Sequence, residues 1–224
     1  MIAENIKENV ELIIDNIGKY KTCSGDVALL AVTKQVSPEK IRIAYDAGIR
    51  DFGENYLQEV LPKIEELADL DIRWHYIGHL QSRKAPKIAE HFYMVQSVDS
   101  FKVAEKLNKK TLELNKKLKI LLEIDFTEQE NRSGFKEVFS QELEKISGLS
   151  GIEVEGLMTV APFFSDPEMA RPYFRRLAEI KEELKEMYPL RFLSMGMTGD
   201  YKVALSEGAN LIRIGSGIFG ARAY

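Results

Sequence analysis

A chain of 224 residues with 45% apolar side chains can bury a substantial core, and one domain over residues 1–224 is the expected organisation. Its 31 Lys and Arg against 35 Asp and Glu leave a formal charge of −4, without the basic field that nucleic acid requires. Cys23 is the only cysteine, which excludes an intrachain disulfide and a cysteine metal cluster and suits a reducing compartment. Glu4, Lys7, Glu8 and Glu11 break up the apolar residues at the start, unlike a secretion signal, and no apolar run is long enough to span a bilayer. A soluble cytoplasmic protein is the expectation.

Ile2, Ile6, Val10, Ile13, Ile14 and Ile17 fall at helical spacing, so residues 2–17 form an amphipathic helix that Gly18 should end. The apolar run Leu29-Leu30-Ala31-Val32-Thr33-Lys34 reads as a strand buried on both faces, as in parallel sheets, with an amine at its exit. Ser37-Pro38-Glu39 starts a helix and Ala47-Gly48 stops it. Strands then follow at 50–54, 72–77, 93–98, 119–124, 152–160, 192–195 and 211–214. Helices are expected between them at 56–68, 84–91, 100–114, 137–146, 168–187 and 201–207. Eight alternating strand and helix units without a linker predict a single (β/α)8 barrel, with an open doubly wound sheet as the alternative.

In such folds the chemistry gathers at the carboxyl ends of the strands. The exits here carry Lys34, Glu54 with Asn55, His75 with Gly78, Asp125 and Thr159, all expected at one mouth. A partly desolvated lysine there is a candidate Schiff-base nucleophile, against the plainer reading of a side chain snorkelling to solvent. After the seventh strand comes Ser194-Met195-Gly196-Met197-Thr198-Gly199-Asp200, and around the end of the eighth Arg213-Ile214-Gly215-Ser216-Gly217. Glycines that admit backbone N–H groups, hydroxyls and a following helix start make a phosphate cradle; two ordinary turns are the alternative. His75 and His79 are four apart, but a strand and Gly78 spoil the helical alignment of two metal ligands, so no metal site is expected. His75 is read instead as a rim residue able to meet a ring, or as a satisfied structural histidine. Glu123 and Asp125 are read as one inward and one outward carboxylate rather than a paired acid and base.

A Schiff-base lysine beside a phosphate cradle points to a phosphorylated aldehyde, of which pyridoxal phosphate (PLP) is the obvious example. Ala31-Val32-Thr33-Lys34, Phe52-Gly53-Glu54-Asn55-Tyr56, Trp74-His75-Tyr76-Ile77-Gly78 with Leu80-Gln81-Ser82, Ser194-Met195-Gly196-Met197, and Arg213-Ile214-Gly215 with Ile218-Phe219-Gly220 resemble the pyridoxal-phosphate homeostasis protein family. The resemblance implies a barrel like the N-terminal domain of alanine racemase, with PLP as an aldimine on Lys34. It further implies phosphate contacts at Ser194, Met195, Gly196, Met197, Thr198, Gly215 and Ser216, Arg213 near the pyridine nitrogen, and Asn55 and His75 as ring contacts. Arg132 loosely resembles an arginine segment of the racemase barrel and is left out of the site. The functional expectation is a monomeric carrier or regulator of PLP, with apo-enzymes as recipients. A racemase-like enzyme is the alternative, opposed by the lack of a second domain to cover the open face of the cofactor after Tyr224.

Overall fold

The computed structural model describes residues 2–127, 132–136 and 140–221. Eight parallel strands close into a barrel in sequence order. They are β1 (Ala28–Val32), β2 (Asp51–Glu54), β3 (Arg73–Tyr76), β4 (Met94–Val98), β5 (Leu118–Glu123), β6 (Ile152–Met158), β7 (Phe192–Ser194) and β8 (Leu211–Ile214). Closure is made by β1 against β8, where Leu30 lies beside Arg213 and Ala31 beside Ile214. The chain is therefore a (β/α)8 barrel, and the open sheet is excluded.

The helices are α1 (Ile2–Tyr20), α2 (Pro38–Asp46), α3 (Leu57–Glu66), α4 (Ala85–His91), α5 (Phe101–Glu113), α6 (Ser140–Ser147), α7 (Arg171–Leu184), α8 (Tyr201–Ser206) and α9 (Ser216–Phe219). Helix α1 runs through Gly18 to Tyr20 instead of stopping there. A glycine costs a helix about 1 kcal/mol, too little to end one whose face is buried at Ile6, Val10 and Ile13. The expected helix over 168–187 divides into a 3-10 turn at Pro167–Ala170, capped by the Asp166 carboxylate accepting from the Glu168 N–H, and α7. The first residues of the helix expected at 137–146 lie outside the described residues. The short α9 had no separate signal in the sequence.

Alternation along each strand separates two environments. Phe52, Trp74, Ile120, Leu157 and Ile212 join helical residues such as Ile41, Val60, Leu107 and Phe174 in one large apolar layer. Met94, Leu121 and Met158 form a second, small apolar cluster. Much of what else is buried on the strands is polar: His75, Gln96, Ser194 and Arg213. Gly156 is forced by the close approach of β7, since a Cβ there would lie 2.1 Å from the Phe192 carbonyl oxygen.

Candidate active site at the carboxyl end of the barrel

Strand β1 ends at Val32, and the two residues flanking Lys34, Thr33 and Gln35, are held by hydrogen bonds. The Thr33 N–H donates to the Gly53 carbonyl (2.9 Å), and the Thr33 hydroxyl donates to Glu54 Oε1 (2.7 Å). Lys63 reaches in from α3, its Nζ donating to the Thr33 carbonyl (2.8 Å), to Glu54 Oε1 (2.7 Å) and to Glu59 Oε1 (2.9 Å). Glu59 also accepts the Gln35 N–H, which helps to hold Gln35 at a left-handed φ of 60°. Lys34 thus has an anchored backbone and a half-buried side chain, with Nζ 5.0 Å from the centre of the Tyr56 ring. It borders a cavity of about 190 Å³ together with Val32, Gly215, Ser216 and Phe219.

The loops after β7 and β8 meet beside that cavity. The Gly196 carbonyl accepts the Arg213 N–H (3.0 Å), and the Thr198 hydroxyl accepts the Gly217 N–H (3.2 Å) and lies 3.4 Å from the Ser216 hydroxyl. Gly196 sits at φ 90°, where a Cβ would come within 2.6 Å of the Ala204 Cβ, so the turn is glycine's by conformation and by space. Thr198 and Ser216 thus face one another, and Gly215 joins Ser216 at the edge of the Lys34 cavity. Met195 is fully buried, and the Met197 N–H is taken by Asp200 Oδ1 (2.6 Å). Ser194 departs further from the expected arrangement. As the last residue of β7 it turns inward, donating to Gln96 Oε1 (2.6 Å) and accepting from an Arg213 Nη (2.6 Å).

Arg213 lies inside the barrel, only 4% exposed, with its other Nη donating to the Thr159 carbonyl (2.8 Å). Burial lowers its pKa to about 10 against the pull of Glu123 and Asp200, so it stays a cation at neutral pH. Asn55 follows β2 directly, half-buried, its carbonyl 2.2 Å from where a Cβ on Gly78 would stand. His75 is not a rim residue. It bonds Asp51 at the start of β2 (2.9 Å) and Gln96 in mid-β4 (3.0 Å), below the mouth. Glu54 likewise turns away from the mouth, outward to Lys63; inward Gly53 next to it sets that parity.

Glu123 and Asp125 also differ from expectation. Glu123 is the last residue of β5 and Asp125 lies two residues beyond it, and both line a cavity of about 250 Å³ with His79, Arg132 and Ser133. Asp125 is engaged by Lys136 (2.8 Å) and Thr127 (2.8 Å), which hold its pKa low despite burial. Glu123 is raised to about 7, first by burial and then by Asp99 and Asp125, with Arg213 and Arg132 opposing. It is a buried carboxyl near the mouth whose raised pKa no local sequence pattern signals. Gln96 and Lys63 were missed as well. The signal for Gln96 was an amide within the apolar run Met94-Val95-Gln96-Ser97-Val98.

The described arrangement matches known proteins over almost its whole length. Residues 8–223 match the family described as alanine racemase, N-terminal domain. The chain is 37% identical to the pyridoxal phosphate homeostasis protein of Aquifex aeolicus over 226 residues, covering 98% of this chain and 96% of that one. It is 42% identical to that of a Synechocystis species over 205 residues, covering 90% and 94%. The chain belongs to the pyridoxal phosphate homeostasis protein family. Among solved structures, this family member superposes on PipY of Synechococcus elongatus with PLP bound, with a TM-score of 0.85 and 35% identity over 96% of this chain and 100% of that one. An alanine racemase of Clostridium difficile shares the fold, with a TM-score of 0.72 at 15% identity; the match covers 97% of this chain and 57% of the racemase.

Proposed function

We propose that this protein binds PLP at the carboxyl-end mouth, holds it as an aldimine on Lys34, and serves PLP homeostasis as a cytoplasmic, monomeric carrier that passes the cofactor to apo-enzymes. The observation that carries the reading is the shared cavity of Lys34, Gly215 and Ser216, with the Arg213 cation buried inside the same barrel. Its donor set fits the ligand: a primary amine for an aldehyde, and hydroxyls at Thr198 and Ser216 beside a glycine for a phosphate. PLP supplies an aldehyde that condenses with an amine and releases water.

The protein's own groups fix how the ligand is held. Lys63 donates to the Thr33 carbonyl while Glu54 accepts the Thr33 hydroxyl, and together they fix the origin of the Lys34 side chain. Arg213 would offer the ring nitrogen of PLP a cation that does not readily give up a proton, which would leave that nitrogen unprotonated and the ring a weaker electron sink. Storage needs no more than that. Tyr56 and Met197 beside the mouth are 48% and 40% exposed, which leaves a route for loading and release. The racemase-like alternative draws on Glu123, whose pKa of about 7 suits proton transfer.

Borohydride reduction of the PLP-loaded protein followed by peptide mapping tests the attachment: a pyridoxyl group is expected on Lys34 and is lost in Lys34→Ala. An adduct on another lysine refutes it. Incubation with alanine and other amino acids in deuterated water, alongside transfer to an apo-enzyme, separates the roles. Transfer without α-proton turnover is the expected result, and turnover abolished by Lys34→Ala would establish the enzyme instead.

A further inference from the structure

Inside the barrel one chain of hydrogen bonds runs from Arg213 to the opposite end. An Arg213 Nη lies 2.6 Å from Ser194 Oγ, Ser194 Oγ 2.6 Å from Gln96 Oε1, Gln96 Nε2 3.0 Å from His75 Nδ1, and His75 Nε2 2.9 Å from Asp51 Oδ1. Arg73 closes it with two bonds to the Asp51 carboxylate, at 2.7 Å each. Ser194, Gln96 and His75 are at most 2% exposed. Asp51, Arg73 and His75 line a cavity of about 620 Å³ at the amino ends of the strands, so the far end of the chain is open to water.

Each link has only one possible direction. The guanidinium can only donate, so Ser194 accepts from it and gives its own proton to Gln96 Oε1. That turns the amide nitrogen toward His75, which must accept at Nδ1. The Asp51 carboxylate can only accept, so His75 carries its proton on Nε2. Arg73 and His75 hold the Asp51 carboxyl far below the usual carboxylate range, and burial pushes the imidazole below its ordinary value despite Asp51, which fits an ionised acid next to a neutral ring. A buried chain of this kind is costly when partly satisfied, and here every member is paired.

We propose that His75 and Gln96, which do not reach the mouth, are positioning residues for the cofactor: through Ser194 they fix the orientation in which Arg213 meets the PLP ring. This rests on the PLP reading given above. The Thr159 carbonyl restrains one Nη of Arg213, and the chain supplies the second restraint that stops the plane from turning.

The test uses full-length protein and three variants. In 15N-labelled protein before PLP is added, His75 is expected to show a protonated Nε2 and a bare Nδ1; the opposite tautomer overturns the directional chain, whatever the protein binds. PLP is then titrated into the parent, Gln96→Leu, His75→Leu and Gln96→Glu. The two leucine variants are expected to weaken PLP binding about tenfold and to shift the absorption maximum of the bound cofactor. Gln96→Glu keeps an acceptor for Ser194 and draws a second proton onto His75, so binding and spectrum are expected to return to near those of the parent. A merely structural role would lower Tm in the variants without moving the spectrum, and that result, or parental affinity in both leucine variants, overturns the inference. If the leucine variants do not fold, a Gln96→Glu protein with a shifted spectrum or weakened binding overturns it alone. No PLP uptake by the parent removes the PLP reading itself, and this inference with it.

Discussion

Replacing Lys63 with methionine isolates the support beneath Lys34. The Glu54 side chain is fully buried, its Oε2 has no partner among the described residues, and its Oε1 is held by Lys63 and Thr33. Removing the ammonium leaves a buried carboxylate without its counter-charge, a change that costs about 3–5 kcal/mol. The carboxyl can escape by taking a proton. Burial already raises its pKa, and Lys63 is the strongest opposing influence. Keeping an ordinary carboxyl of pKa about 4.3 protonated at pH 8 costs about 5 kcal/mol, which caps the loss. The sign follows: a carboxyl with a raised folded pKa contributes stability below its unfolded value and loses it as pH rises through the folded one. The gap between parent and Lys63→Met should therefore be small at pH 5 and widen by up to about 1.4 kcal/mol per pH unit above it. At pH 8 a loss of 3–5 kcal/mol corresponds to a Tm lower by about 6–10 °C in a chain of this length. Urea unfolding of the protein without PLP, followed by fluorescence of the buried Trp74 at pH 5 and pH 8, measures it. A gap under about 1 kcal/mol at pH 8, or one equal at both pH values, would refute the reasoning.

Glu123→Gln should flatten the pH dependence of stability. The raised carboxyl, with a pKa of about 7, contributes stability that is complete below the ordinary carboxylate range and disappears as pH rises through 7, so the parent should lose more stability between pH 5 and 7 than the variant, which keeps only the share of other raised carboxyls such as Glu54. Parallel profiles in urea titrations would count against the assignment. Gly156→Ala places a Cβ 2.1 Å from the Phe192 carbonyl and should lose about 3 kcal/mol or more, whereas Gly25→Ala, with nothing within 4 Å, should stay within about 0.5 kcal/mol of the parent. Equal Tm values for the two variants would contradict the β6–β7 packing.

The barrel was legible because its strands are short apolar runs between helical periods, and that rhythm survives errors at the ends, such as α1 passing Gly18. The neighbourhood of Lys34 and the loops at Thr198 and Ser216 were also legible, since strand exits and glycine-hydroxyl turns leave a local signature. The interior was not. Period-two alternation says which face a residue occupies, but not how far along the barrel axis its side chain reaches, so it does not separate a rim His75 from a structural one, whose ring here points toward the start of β2. The family resemblance implies a phosphate contact at Ser194, two residues before Gly196, yet as the last strand residue it turns to Gln96. Gln96 is 98 positions from Ser194 and 21 from His75, and no local pattern connects them.

The seam between β1 and β8 has a consequence for the order of events in the life of the chain. Lys34 follows the first strand and Ser216 the last, so the groups around the cavity are separated by most of the polypeptide and come together only when the ends of the sheet meet. During synthesis the site cannot exist until the eighth strand has left the ribosome. A ligand that bridges the two sides binds the closed form alone, and at a hundredfold excess over its dissociation constant it favours that form by about 2.7 kcal/mol. Loss of the ligand would remove that bias, and any opening at this join would bare two strand edges that the closed ring otherwise keeps paired.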